Sequence, residues 1–153
     1  MDASYKQNIK LAGIVYLHNI SANRMSGTSL MNLSMFESLC GQDAMTSVIL
    51  VTTMWNEIKE ETGVRREAEL KATFWKDMLR NGCKTKRFNH TFDSAWDIVS
   101  NVMQNNPCRT LQLQEEMGNG GTSFSETTAH RVIEESRLRW FVDLEIAFKN
   151  IFR

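Results

Sequence analysis

The sequence predicts an α/β fold: a partial three-layer parallel sheet of about three strands flanked by helices, with a C-terminal helical extension. Two observations carry this. The run Val48-Ile49-Leu50-Val51-Thr52-Thr53 is short, β-branched and continuously apolar, as in a strand buried on both faces, and it feeds directly into the polar turn Met54-Trp55-Asn56-Glu57. Strand-like and helix-like stretches also alternate along the first 106 residues, with connections short enough for parallel crossovers.

The elements follow in order. Leu11–His18 reads as a buried strand, and Asn19–Thr28, rich in Ser, Asn and Gly, as a loop. Leu30, Leu33, Phe36 and Cys40 keep helical spacing; Thr28 or Ser29 is placed to cap that helix and Gly41 to end it. After the Ser47–Thr53 strand, Asn56–Gly63 reads as a charged turn. A helix over Val64–Arg80 then carries Leu70, Phe74 and Met78 on one stripe and stops at Asn81-Gly82. Lys84–Asn89 is a third, weaker strand. Asp93 or Ser94 is placed to cap a helix with Ala95, Val99, Val102 and Met103 inward, and Pro107 follows its end. The three strands are expected to lie side by side in sequence order.

A second region covers residues 107–153, after the α/β domain of residues 1–106. Leu111–Met117 reads as a short helix stopped by Gly118-Asn119-Gly120-Gly121. Ser123-Phe124-Ser125-Glu126 is a capping-box signature for a long helix with Ile133, Trp140, Phe141, Leu144, Phe148 and Ile151 on its apolar face. That face suits packing on this domain or on a second copy better than a membrane surface.

Composition narrows the function classes. The 18 Lys and Arg residues balance 18 Asp and Glu, which argues against a generally basic nucleic-acid surface. No apolar run is long enough to insert into a membrane, and no signal-like N-terminus precedes the first strand, so a cytoplasmic protein is expected. Cys40, Cys83 and Cys108 form no metal-binding spacing and read as small buried thiols of a reducing compartment. His18 and His90 stand at or just past strand ends, where open α/β sheets bind ligands; a metal pair is one reading and ordinary loop histidines the simpler one. The glycine run at 118–121 follows a helix rather than a strand, which makes it a turn. No G-x-x-x-x-G-K-[ST], H-E-x-x-H or G-x-S-x-G occurs. Trp55, Trp75, Trp96 and Trp140 lack basic interleaving and read as packing residues.

Ile49-Leu50-Val51-Thr52-Thr53-Met54-Trp55-Asn56-Glu57 resembles the strand and guanine-recognition loop of P-loop GTPases, in particular the immune-associated nucleotide-binding (GIMAP-like) type and its relatives in mushroom-forming fungi. Leu11–His18 is similar to the Leu-Ala-Gly-Ile-x-Tyr-Leu-His strand of those fungal relatives, and Asn23–Thr28 to their Asn-Arg-Met-x-Gly-Thr loop. Arg87-Phe88-Asn89-His90-Thr91 resembles the last nucleotide-side loop, and Ser94-Ala95-Trp96 the start of the helix behind it. The similarity covers residues 8–130, and the motifs are specific as a set.

The resemblance implies a purine-base site formed by Thr53, Trp55, Asn56, Asn89 and His90, with no catalytic residue and no metal. Asn56 stands where the family's loop has an aspartate that accepts two guanine hydrogen bonds. An amide offers one acceptor and one donor there, at an expected cost of ~1–3 kcal/mol. The family's P-loop, Mg²⁺ ligands and D-x-x-G precede the Leu11–His18 strand, and this chain begins after them. The resemblance therefore implies no required cofactor, weak GTP binding at most, and no hydrolysis by this chain alone. It also leaves the outer edge of the first strand unpaired, from which self-association, as a homodimer, is expected. The alternative function is a non-catalytic interaction or scaffold protein that self-associates through that open edge or the C-terminal helix. A third reading is an unrelated enzyme with His18 and His90 in one pocket.

Overall fold

Val48–Thr53 forms β2, the middle strand of a three-stranded sheet, in a computed structural model that describes residues 11–22, 25–105, 110–119 and 123–135. Val48, Ile49, Leu50, Val51 and Thr52 are almost wholly buried, as a strand covered on both faces requires. β1 (Ile14–Asn19) and β3 (Lys84–Arg87) pair with it in parallel, in the order β1-β2-β3. The α/β architecture and the sequential strand order are those the sequence predicts.

Helix α1 (Gly27–Cys40) links β1 to β2. It starts earlier than Thr28 or Ser29 would set it, because Ser26 is the N-cap: its Oγ accepts the Ser29 backbone N–H at 3.1 Å. Gly41 ends it at φ 73°, and a Cβ there would lie 2.7 Å from Gln112 Oε1, so both backbone and packing call for glycine. The link from β2 to β3 is a 3₁₀ turn at Trp55–Glu57, α2 (Glu60–Glu69), a π turn at Leu70–Phe74, and α3 (Lys76–Arg80). The expected single helix over Val64–Arg80 thus begins earlier and is interrupted. Glu60 and Glu61 favour the N-terminal end of the helix dipole, which turns the expected loop into helix. The π turn, closed by Trp75 N–H donating to Leu70 O at 2.8 Å, adds a residue to the helical repeat. It brings Trp75 into the core, fully buried between Leu70 and Met78, where the regular stripe would have placed Phe74.

One side of the sheet carries the larger core, in which Leu33 and Cys40 of α1 meet Val48, Leu50, Leu70, Trp75 and Met78. α4 (Phe92–Asn105) covers the other side, where Ile98 and Val102 pack on Ile49, Val51 and Phe88. The expected inward stripe is corrected in part: Val102 packs on the sheet as expected and Ala95 is half-buried, but Val99 and Met103 are exposed, as is Trp96, and Ile98 joins Val102 at the sheet. The cap is corrected too. Thr91 Oγ1 accepts the Ser94 N–H at 3.2 Å while Ser94 Oγ accepts the Thr91 N–H at 3.3 Å, a reciprocal closure of the helix start.

α5 (Gln112–Asn119) packs on α1, and Leu111 joins the larger core. The Ser123–Glu126 capping box forms, but it opens a 3₁₀ turn at Phe124–Glu126; helix resumes at residues 128–135. Glu116 ties the two helices by accepting the Thr128 N–H (2.9 Å) and hydroxyl (2.6 Å). The expected apolar positions from Trp140 to Ile151, Cys108, and the 106/107 boundary lie outside the described residues. Among the described residues, no helix is long and apolar enough to cross a membrane.

Candidate functional site

The carboxyl ends of the strands are organised around Thr52, which is paired in register with Arg87. Because those two residues are neighbours, the loops that leave β2 and β3 start side by side. β1 joins them: Thr53 Oγ1 donates to His18 O at 3.3 Å, Ile20 N–H donates to Thr53 O at 3.0 Å, and Ser21 Oγ donates to Glu57 Oε2 at 2.9 Å.

After Thr53 the chain reverses at Met54, which takes a left-handed conformation at φ 61°. This turns Trp55 back over the sheet. Its indole N–H donates to Thr52 Oγ1 (3.0 Å) and Thr52 O (3.2 Å). The ring lies against Gly63 of α2, where a Cβ would sit 2.7 Å from the ring edge. The Arg87 guanidinium lies over the ring, 4.1 Å from its centroid.

Arg87 also grips Glu67, with Nε 3.1 Å from Oε1 and the terminal nitrogen 2.6 Å from Oε2. Lys71 Nζ adds a contact at 3.3 Å. Burial on its own would raise the Glu67 pKa. The Arg87 hydrogen bond and the charges of Lys71 and Arg87 outweigh it and hold the carboxyl below its ordinary value. Thr52, Trp55, Glu67 and Arg87 are thus one internally satisfied cluster under the loops.

This geometry divides the five predicted residues. The Thr53 hydroxyl and the Trp55 N–H are used within the fold, and the half-buried Trp55 ring packs against Arg87 and Gly63. Asn56, Asn89 and His90 are exposed. The Asn89 N–H is held by Ser94 Oγ at 3.1 Å, and His90, at φ 58°, lays its ring 5.0 Å from that of Phe88. The rim therefore offers two amides and an imidazole above a rigid base. Sequence reasoning missed Glu67 and Arg87; the available signal was an arginine at the end of β3, where that strand meets the end of β2.

A separate cleft of about 420 Å³ opens at the end of β1, with His18, Ile20, Met25, Arg66, Glu69 and Leu70 among its lining residues. Arg66 braces it: one guanidinium nitrogen donates to the carbonyls of Ile20 (3.0 Å), Ser21 (2.8 Å) and Ala22 (3.1 Å). The His18 ring meets Trp75 edge-on at 5.8 Å, and burial lowers its pKa. His90 does not line this cleft. Among the described residues, no group of three or more His, Cys, Asp or Glu side chains could hold a metal ion.

No family model, curated protein or solved structure matches the chain.

Proposed function

We propose that the β2 and β3 end loops form a shallow site for a purine base, guanine by preference, that binds weakly and without Mg²⁺. The observation that carries this reading is the Thr52–Arg87 register, which sets the loop of Asn56 beside the loop of Asn89 and His90. Amide groups on such a rim suit the donor and acceptor edge of a base. The sequence contains no G-x-x-x-x-G-K-[ST] motif, and the reading assigns it no phosphate cradle and no hydrolytic step. Trp55 has a supporting role in it, since its ring is already occupied by Arg87.

Titration with guanosine nucleotides, with and without Mg²⁺ and against adenosine nucleotides, tests this reading. Weak, Mg²⁺-independent binding that favours guanine supports it; tight, Mg²⁺-dependent binding refutes it. A second reading, a non-catalytic interaction protein, is favoured by a different observation, the exposed apolar flank of α4.

A further inference from the structure

The face of the sheet under α4 is only partly covered. Val15 pairs with Ile49 and Leu17 with Val51, so these two β1 side chains continue the apolar surface on which Ile98 and Val102 pack. Yet Leu17 is 65% exposed and Val15 37%. The Lys86–Asp97 ion pair, at 2.8 Å, fixes the polar flank of α4 on the β3 side. Turned away from that ion pair, α4 carries Phe92, Trp96, Val99 and Met103, exposed by 78, 57, 45 and 69%. At 100° per residue these four fall within one sector of about 60°, centred roughly 130° round the helix from the inward Ile98, so the stripe faces away from the sheet. The bared β1 residues lie on the same side of the sheet as α4, and the α4 stripe is a separate apolar ridge on the helix. With roughly 150–250 Å² to an aromatic side chain, the stripe exposes on the order of 500 Å² of apolar surface. That lies in the upper part of the ~300–600 Å² range for the largest patch on a monomer, and is more than half of the ~800 Å² per partner of a standard interface.

We propose that this stripe is a homodimer interface in which α4 packs antiparallel on α4 of a second copy. The spacing of the stripe selects that partner. Its intervals are four, three and four residues, the alternation of a paired-helix seam. The pattern reads the same in both directions, so a two-fold axis between Asp97 and Ile98 brings Phe92 opposite the Met103 of the second copy and Trp96 opposite its Val99. The first pair joins an aromatic ring to a thioether, a favourable contact. Charge does not oppose the pairing. The 18 basic and 18 acidic residues leave no net repulsion between copies. Asp93, on the outer flank, lies ~13 Å along the axis from its symmetry mate, beyond a Debye length at physiological salt. The interface differs from the sheet edge and C-terminal helix that the sequence suggests, and it uses none of the strand-end loops, so it stands independently of the base-site reading.

Sedimentation or light scattering of the full chain over a concentration series up to about 100 µM tests the proposal, since interfaces of standard size reach micromolar affinity or better. A mass near twice 17.6 kDa is expected for the native sequence. Trp96→Glu and Met103→Glu, both at exposed positions, are expected to shift it to monomer while the thermal melt of the monomer is retained. The register is tested by Phe92→Cys combined with Met103→Cys, which is expected to give a covalent dimer on mild oxidation. A native monomer throughout the series overturns the proposal. So does a dimer that persists in Trp96→Glu, which would place the contact elsewhere, in the sheet edge or the C-terminal segment.

Discussion

Arg87 holds Glu67 in a fork while its guanidinium covers the ring of Trp55 at 4.1 Å. One side chain thereby joins the end of β3 to α2 and to the loop after β2. Glu67 is buried, so removing Arg87 leaves a carboxylate with Lys71 as its remaining cationic contact. Arg87→Ala is expected to destabilise the fold by about 1–3 kcal/mol, below the figure for a fully buried pair because the arginine is partly solvated. Arg87→Lys keeps the charge but loses both fork and stacking, and is expected to recover less than half of the loss. Urea unfolding of the two variants checks both values.

The same cluster sets a pH dependence. The folded pKa of Glu67 is depressed, so its contribution is complete above the unfolded value of ~4.3 and is lost as pH falls through the folded pKa. His18 acts higher. Burial depresses its pKa, so below ~6.5 the unfolded chain takes up a proton that the folded chain resists. Stability is therefore expected to fall from pH 7 to pH 5 and again below pH 4. His18→Gln should flatten the first step and Glu67→Gln the second, as read from urea midpoints across pH.

Two glycines of the helices separate steric need from helix propensity. At Gly63 a Cβ would lie 2.7 Å from the Trp55 ring, and Gly63→Ala is expected to cost about 1–3 kcal/mol and to shift tryptophan fluorescence. At Gly27 no atom lies within 4 Å of such a Cβ, and Gly27→Ala is expected to be neutral or stabilising by up to about 1 kcal/mol. Thermal melts of the two variants should move in opposite directions or leave Gly27→Ala unmoved.

Cys40 and Cys83 are buried free thiols whose pKa values are each pushed up to about 12, by burial first, then at Cys40 by Cys83 and Glu37 and at Cys83 by Glu37. The thiolate is the reactive form, so neither is expected to react with a disulfide reagent in the folded protein at pH 8. Both should react once urea unfolds it. Labelling followed by peptide mass mapping reads the two sites separately.

The sheet was legible because its signals are local. The unbroken apolar run of β2 and the helix-like repeats on either side fix element type and order without knowledge of partners. The helix errors have one origin: periodicity says which residues share a face, and packing decides which face turns inward. Through one extra residue at the π turn Trp75 takes the fully buried position, and Phe74 packs half-buried against the same core. On α4, apolar residues occupy more than one face, and Ile98 rather than Val99 meets the sheet. At the strand ends, sequence placed the five residues at one end of the sheet but could not show that Trp55 points inward, because its partners Gly63, Glu67 and Arg87 are brought to it by folding.

The central claim, a weak purine-base site on the rim of Asn56, Asn89 and His90, is tested most directly by restoring the carboxylate. Calorimetric titration of guanosine nucleotide into the native chain and into Asn56→Asp is the measurement. Replacing the amide with an acceptor of charge-assisted hydrogen bonds should tighten binding by roughly tenfold to a hundredfold, as ~1–3 kcal/mol requires. The gain should appear for guanine, not adenine, and with or without Mg²⁺. Equal affinity in the two chains, or no binding to either at millimolar nucleotide, would contradict the claim.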